Sequence, residues 1–354
     1  MKIYSALNYG SSSLKIAIFA VNKSNYELIN KKNITSFDNI ENAIEENINL
    51  FIDNKVDVFV HRVVHGLDYK NPFLINDETI KTLEYLAKIN PLHNELALKG
   101  IRKLRSIFNE KLHYAVFDTY FHNSIPSYAK VYGISLDFFR SGVKRYGFHG
   151  ISYSYIVRKM KEILNKEKVD LIVLHLGAGC SICAIKENKS IETSMGFSPL
   201  EGLIMQKRSG DMDIGVVLHL IQNGFKPFDF YSKCGFTAMA NVKNFIELEE
   251  KYKAGNDDAV LTMNAFVHRL VKYIGSYYVL LENLDGIVFT GGIGENSWLL
   301  RNLVCEKLKK IGIELNEEKN KNNELLISTS KSKINVFVIK TEEEEEMVRI
   351  TAQQ

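Results

Sequence analysis

An α/β chain built from two similar halves is the fold the sequence predicts, on three observations. Residues 3–19 read as strand, tight turn, strand: two apolar, β-prone arms broken by Gly10-Ser11-Ser12-Ser13. Residues 169–185 repeat the theme, with the small-residue turn Gly177-Ala178-Gly179 between apolar arms. At 354 residues the chain exceeds what one core usually serves, so two domains are expected. Equivalent hairpins, each opening an α/β half, point to internal duplication with a ligand in the cleft between the halves.

In the first hairpin, a turn of small residues lets backbone N–H groups and hydroxyls approach an anion closely, and Lys15 follows where an ammonium would meet phosphate. An ordinary hairpin with a polar turn fits these residues alone equally well. Residues 21–55 are polar, with helical spacing of apolar residues around 40–52. Residues 56–66 read as a buried strand that carries His61, Arg62 and His65 at its end. A buried arginine needs an anionic partner, which an internal ion pair would also supply. A helix is expected over 77–89 with Asp77 as N-cap. Pro91-Leu92-His93-Asn94 interrupts the pattern, which resumes over 95–108. Residues 114–119 form a strand ending near Asp118, and strand ends of open α/β sheets are where ligands bind. Residues 133–144 read as loop or short helix, and the turn Arg145-Tyr146-Gly147-Phe148-His149-Gly150 presents a histidine ahead of a helix over 152–164.

In the second half, residues 286–296 form a strand running into Gly291-Gly292-Ile293-Gly294. Arg208-Ser209-Gly210-Asp211 reads as a loop, residues 258–283 as a long amphipathic helix, and 316–333 as exposed. A last strand is expected over 334–339. The five glutamates 342–346 read either as a solvated helix start or as the source of one site carboxylate.

Composition removes several function classes. Lys+Arg 45 nearly balances Asp+Glu 42, which points away from nucleic acid and anionic membranes. No window approaches the ~20 apolar residues of a membrane span, and no signal peptide is expected, so the expected location is cytoplasmic. Of the four cysteines, Cys180 and Cys183 form one C-x-x-C, whose members face opposite ways on a strand. Reduced structural thiols fit better than a metal or redox pair. The histidines lack zinc-site spacing, and neither G-x-G-x-x-G nor G-x-x-x-x-G-K-[ST] occurs.

Seven blocks then occur in one order across nearly the whole chain. They are Leu7-Asn8-Tyr9-Gly10-Ser11-Ser12-Ser13-Leu14-Lys15, His61-Arg62-Val63-Val64-His65-Gly66, Val116-Phe117-Asp118-Thr119, Tyr146-Gly147-Phe148-His149-Gly150, Thr193-Ser194-Met195-Gly196-Phe197 with Pro199-Leu200-Glu201-Gly202, Arg208-Ser209-Gly210-Asp211, and Val288-Phe289-Thr290-Gly291-Gly292-Ile293-Gly294-Glu295-Asn296. Together they resemble the acetate kinase family. The resemblance implies a duplicated ribonuclease H-like (actin-like ATPase) fold, with domains at 1–147 and 148–344 and the tail 345–354 packing on the first. It implies a homodimer and a Mg²⁺-dependent enzyme, with Mn²⁺ as substitute, that moves a phosphoryl group reversibly between ATP and acetate to give acetyl phosphate and ADP. By matching position, Arg62, Arg208 and His149 surround the moving group, His149 and Arg208 stabilising the transition state, with Asp118 beside the in-line path. Asn8 and Glu344 orient the metal; counting back from Met347 gives Glu345 instead. Val64, Leu92, Phe148 and Pro199 enclose the acetate methyl. Ser11, Ser13, Lys15, His175, Gly177, Gly179, Gly291, Gly292, Ile293, Gly294 and Asn296 bind nucleotide.

The chain departs from the family pattern at two places. The usual His-Leu-Gly-Asn-Gly turn is His175-Leu176-Gly177-Ala178-Gly179, and Ala178 offers no side-chain donor to phosphate. The usual Gly-Thr before the arginine is Gln206-Lys207, which adds charge. These departures keep open pyrophosphate as donor and a member that binds without turnover; propionate as acceptor is a further alternative, because one methylene is discriminated only weakly.

Overall fold

Strict alternation of side chains along the first strands decides what each face of the first sheet buries. A computed structural model describes every residue except Ser11, Ser12, Ser24, Ser36 and Asn90, and all side chains but those and Pro91, Leu92 and His93. The chain divides into two compact units. The first comprises Met1–Asn123, Phe148–Tyr155 and Glu342–Gln354; the second comprises Ser124–Gly147 and Ile156–Thr341.

In the first unit, β1 (Lys2–Tyr9), β2 (Leu14–Asn22), β3 (Asn25–Ile34), β4 (Val58–Val63), β5 (Phe73–Leu74) and β6 (Leu112–Phe117) form one sheet in the order β3-β2-β1-β4-β6-β5. Leu7, Tyr9, Leu14, Ile16, Ile18, Phe59, Val63, Ala115 and Phe117 pack with residues of the helices Ile40–Glu45, Ile48–Asp53, Ile80–Ile89 and Pro91–Ile107. The opposite parity, Tyr4, Ala6, Ala17, Phe19, Val58, Val60 and Val116, packs with Ile151 and with Met347, Val348 and Ile350 of the helix Glu343–Ala352. Asn8 and Arg62 have this second parity. Tyr9, His61 and His113 have the first.

The second unit repeats the pattern. β7 (Leu171–Leu176), β8 (Cys180–Lys186), β9 (Lys189–Thr193), β10 (Gly286–Thr290) and β11 (Val336–Val338) lie in the order β11-β10-β7-β8-β9. In both sheets the first three strands pair antiparallel, and the hairpin's first strand then pairs parallel with a fourth, which pairs parallel with a fifth. This is the expected duplicated ribonuclease H-like architecture. The helix Asp257–Leu280 buries one stripe, including Phe266, Leu270 and Ile274.

Several elements differ from the sequence reading. The polar stretch after β2 contains β3, exposed along almost its whole length. As an edge strand it needs no apolar face, and its lysines discourage pairing with another chain. The helical run over 40–52 is two short helices. The next helix starts at Ile80, and Asn76, not Asp77, takes the N–H groups of Glu78 and Thr79 ahead of it. The interruption expected at 91–94 is instead the start of Pro91–Ile107, where proline suits a first turn that has no N–H partner anyway. The stretch 316–333, expected to be exposed, contains buried Asn320 and Ser328. The glutamate run does start a helix, but Glu344 and Glu346 are buried. All four cysteines are free thiols; Cys180 and Cys183 are buried on β8. Burial pushes the Cys180 thiol up to about 12, so it is inert at neutral pH.

Candidate active site

The parallel pairing of β1 with β4 sets Leu7 opposite His61, which leaves Asn8 and Arg62 adjacent on one face at the strand ends. Asp118 follows β6 with the same parity. Arg62 Nε donates to Asp118 Oδ1 at 2.9 Å and Nη2 to Asp118 Oδ2 at 2.6 Å, a two-pronged pair. Nη1 donates to Asn8 Oδ1 at 3.0 Å. The carboxylate that completes the group is Glu343, whose Oε2 lies 3.7 Å from Arg62 Nη1 and 3.4 Å from Asn8 Nδ2. Burial works against the Arg62 charge, but Asp118 and then Glu343 outweigh it and raise its pKa further. Glu344, the sequence choice for this place, instead lies 3.5 Å from Lys31 Nζ, which also pairs with Glu342 at 2.8 Å. One residue along a helix start turns a side chain by about 100°, so counting could not separate these neighbours.

His149 precedes the helix Gly150–Leu164 in a left-handed conformation, φ 60°. Gly150 donates its N–H to Asp118 O at 2.9 Å, and a Cβ there would stand 2.2 Å from that oxygen. Glycine is therefore required where the His149 turn meets the end of β6. Phe148 is buried and packs edge-on against His65 at 5.4 Å. Val64 is half-buried at the end of β4.

On the other parity, Tyr9 Oη lies 2.7 Å from His61 Nδ1, His61 Nε2 lies 3.0 Å from His113 Nδ1, and His113 Nε2 lies 3.1 Å from Phe108 O. The carbonyl at the end fixes the direction: each neutral ring donates from Nε2 and accepts at Nδ1, and Tyr9 donates. Burial holds His61 well below the ordinary imidazole value and brings His113 to about 4. This chain backs the strands that carry Asn8 and Arg62. Sequence reading placed His61 at the end of a buried strand without deciding its role, and did not single out His113.

In the second unit, the turn after β7 and the glycines after β10 are in contact. A Cβ on Gly291 (φ 75°) would lie 2.7 Å from Leu176 O, and Gly294 sits against Leu174 O and Leu176. Residues Gly291–Asn296 form one short helix, in which Asn296 Nδ2 donates to Gly292 O at 2.8 Å. Glu295 Oε1 accepts the N–H of Gly291 at 2.9 Å and of Thr341 at 3.1 Å. Arg301, fully buried, binds the end of that helix through Gly294 O at 2.7 Å and Glu295 O at 3.0 Å, and Asn320 through Oδ1 and O. Burial lowers Arg301 to about 10, outweighing the opposing pull of Cys305 and Glu249. Glu295 stood within a motif, but neither its supporting role nor that of Arg301 carried a sequence signal, because their partners are backbone carbonyls and N–H groups. His175 is half-buried on β7, opposite Thr290 of β10.

Arg208 contrasts with Arg62. Its Nη1 donates to Pro199 O at 2.8 Å, and among the described residues no carboxylate pairs with it. Burial lowers its pKa accordingly. An arginine held this way has charge left for an anion. Of the remaining expected residues, Lys15 is exposed opposite Asn8 in the β1–β2 hairpin, where Gly10 N–H donates to Ser13 O at 2.7 Å. Ser11 and the Leu92 side chain lie outside the described residues.

The acetokinase family profile matches residues 22–349. An acetate kinase of Campylobacter jejuni (serotype O:6) is 37% identical over 391 residues, covering 99% of this chain and 98% of that protein. The crystal structure of a propionate kinase from Francisella tularensis superposes with a TM-score of 0.92 at 32% identity, covering 100% of both chains. That of Porphyromonas gingivalis acetate kinase gives 0.86 at 30% identity, covering 100% of this chain and 99% of the other. The chain belongs to the acetokinase family and is a phosphotransferase of acetate/propionate kinase type.

Proposed function

We propose that the protein is an acetate kinase, transferring a phosphoryl group in line between ATP and acetate. The observation that carries the reading is the Arg62 guanidinium, oriented by Asp118 and Asn8 beside Glu343. Phosphoryl transfer asks mainly for positioning and for positive charge on the equatorial oxygens. Arg62, pinned on one edge by Asp118, supplies an oriented cation without reorganising. Arg208, which pairs with no carboxylate among the described residues, supplies a second cation. His149 donates to the same developing charge. Asp118 keeps Arg62 in place and lies beside the path of the incoming carboxylate.

Mg²⁺ takes one or two protein carboxylates and fills its remaining positions with phosphate and water oxygens. Glu343 beside Asn8 matches that modest demand, so Glu343 replaces Glu344 in the proposed metal role. Among the described residues no group of three or more His, Cys, Asp or Glu is placed to cage a metal. When bound, the ion neutralises phosphate charge. Within the second unit, Gly177, Gly179, Gly291, Gly292, Ile293, Gly294, His175 and Asn296 are the proposed nucleotide contacts.

By the family resemblance, Val64 and Phe148 of the first unit are proposed to contact the acetate methyl. An added methylene changes binding by about 1–3 kcal/mol, so propionate reacts more slowly. Propionate as the main acceptor is the second reading, favoured by the 0.92 match to a propionate kinase. The protein acts as a homodimer: the helix Ile214–Gln222 buries none of its residues, and Ile214, Val216 and Leu218 are 75%, 47% and 55% exposed. Trapping acyl phosphate with hydroxylamine tests the reaction. Hydroxamate should form with acetate and ATP, faster than with propionate or with pyrophosphate as donor; its absence with every pair would refute the assignment.

A further inference from the structure

We propose that Lys207 grips the phosphate chain of the donor, so that charge takes over a role for which Ala178 has no side-chain donor. The inference rests on the phosphotransferase reading above and refines its nucleotide subsite within the second unit. Three residues stand at the turn that departs from the family pattern: Ala178, Gln206 and Lys207. Ala178 is exposed, and its carbonyl is taken by the N–H of Gln206 at 3.2 Å. The Gln206 side-chain amide is committed to Lys243 O at 2.9 Å. Lys207 is exposed, and among the described residues its ammonium makes no ion pair or hydrogen bond. By elimination, Lys207 holds the uncommitted side-chain donor of the three.

Its backbone is rigidly placed. Met205 N–H donates to Arg208 O at 3.0 Å, closing a tight turn with Gln206-Lys207 at its tip. Phe236 N–H holds Met205 O at 2.9 Å, Thr237 Oγ1 holds Gln206 O at 2.7 Å, and Cys234 N–H holds Lys207 O at 3.1 Å. Gly235 (φ 72°) lets the two segments touch, since a Cβ there would lie 2.1 Å from Met205 O. The strap thus holds Gln206 against the glycine turn, with Lys207 between it and Arg208. Two neighbouring cations with no acidic partner among the described residues make a site for a multiply charged anion. Lysine, a flexible point charge with three donors, reads the charge of a phosphate chain rather than the base attached to it.

Titration calorimetry of Mg²⁺–ADP with the full-length protein tests this without relying on turnover. Lys207→Gln should weaken ADP binding about tenfold, flatten its dependence on salt, and leave the KM for acetate within about twofold. Lys207→Arg should restore binding. An ADP affinity in Lys207→Gln within twofold of the unmodified protein, or an unchanged salt slope, would overturn the inference. Weakened ADP binding in a protein that forms no hydroxamate would uphold the grip and refute the reaction instead.

Discussion

Arg62 was legible as a charge within a buried strand and Arg208 as a charge in a loop, but only coordinates show how each is held. Arg62 is neutralised by Asp118 and Glu343, whereas Arg208 leans on a carbonyl. The glutamate beside Arg62 was not legible, because five identical residues in a row erase the pattern that would show which one turns inward. The Tyr9–His61–His113 chain was equally hidden, since its members come from three strands and meet only through register. It carries a pH prediction. In the unfolded chain these imidazoles take up protons near ~6.5, whereas folding holds His113 to about 4 and His61 well down. The folded pKa is depressed, so stability is present above 6.5 and is lost as pH falls toward 4. Urea midpoints should drop between pH 7 and pH 5 more steeply in the unmodified protein than in His113→Leu. Parallel profiles would show that the pair contributes nothing to acid sensitivity.

Elements with one buried face were read well from the sequence, and elements without one were not. The hairpin arms and the helix Asp257–Leu280 announce themselves by apolar periodicity. The exposed strand β3 does not, because an edge strand can be polar on both faces. The helix Ile214–Gln222 shows the reverse case: it is strongly apolar yet exposed. A surface of that kind is stable in water when another surface covers it, and the proposed cover is a second copy. Leu218→Glu should convert a dimer into a monomer by size-exclusion chromatography with light scattering. A monomeric unmodified protein, or an unaffected dimer, would remove this helix from the interface.

At the scale of the whole molecule, the duplication was visible because each half must build the same hairpin, with small residues at its turn. Apart from the extra edge strand β5, the two sheets share strand order and pairing directions, and each brings its residues of interest to strand ends. Ligand sites at strand ends follow from this architecture, as side chains there escape the packing that fills the sheet. The supports behind the sites, Glu295 and Arg301, were illegible because backbone contacts leave no residue pattern. What the account depends on most is that Arg62 acts on the moving phosphoryl group. Hydroxamate turnover of Arg62→Ala, compared with the unmodified protein, measures this directly. The account predicts a fall of ~10²–10³-fold or more, with the fold retained by circular dichroism; turnover close to that of the unmodified protein would contradict it.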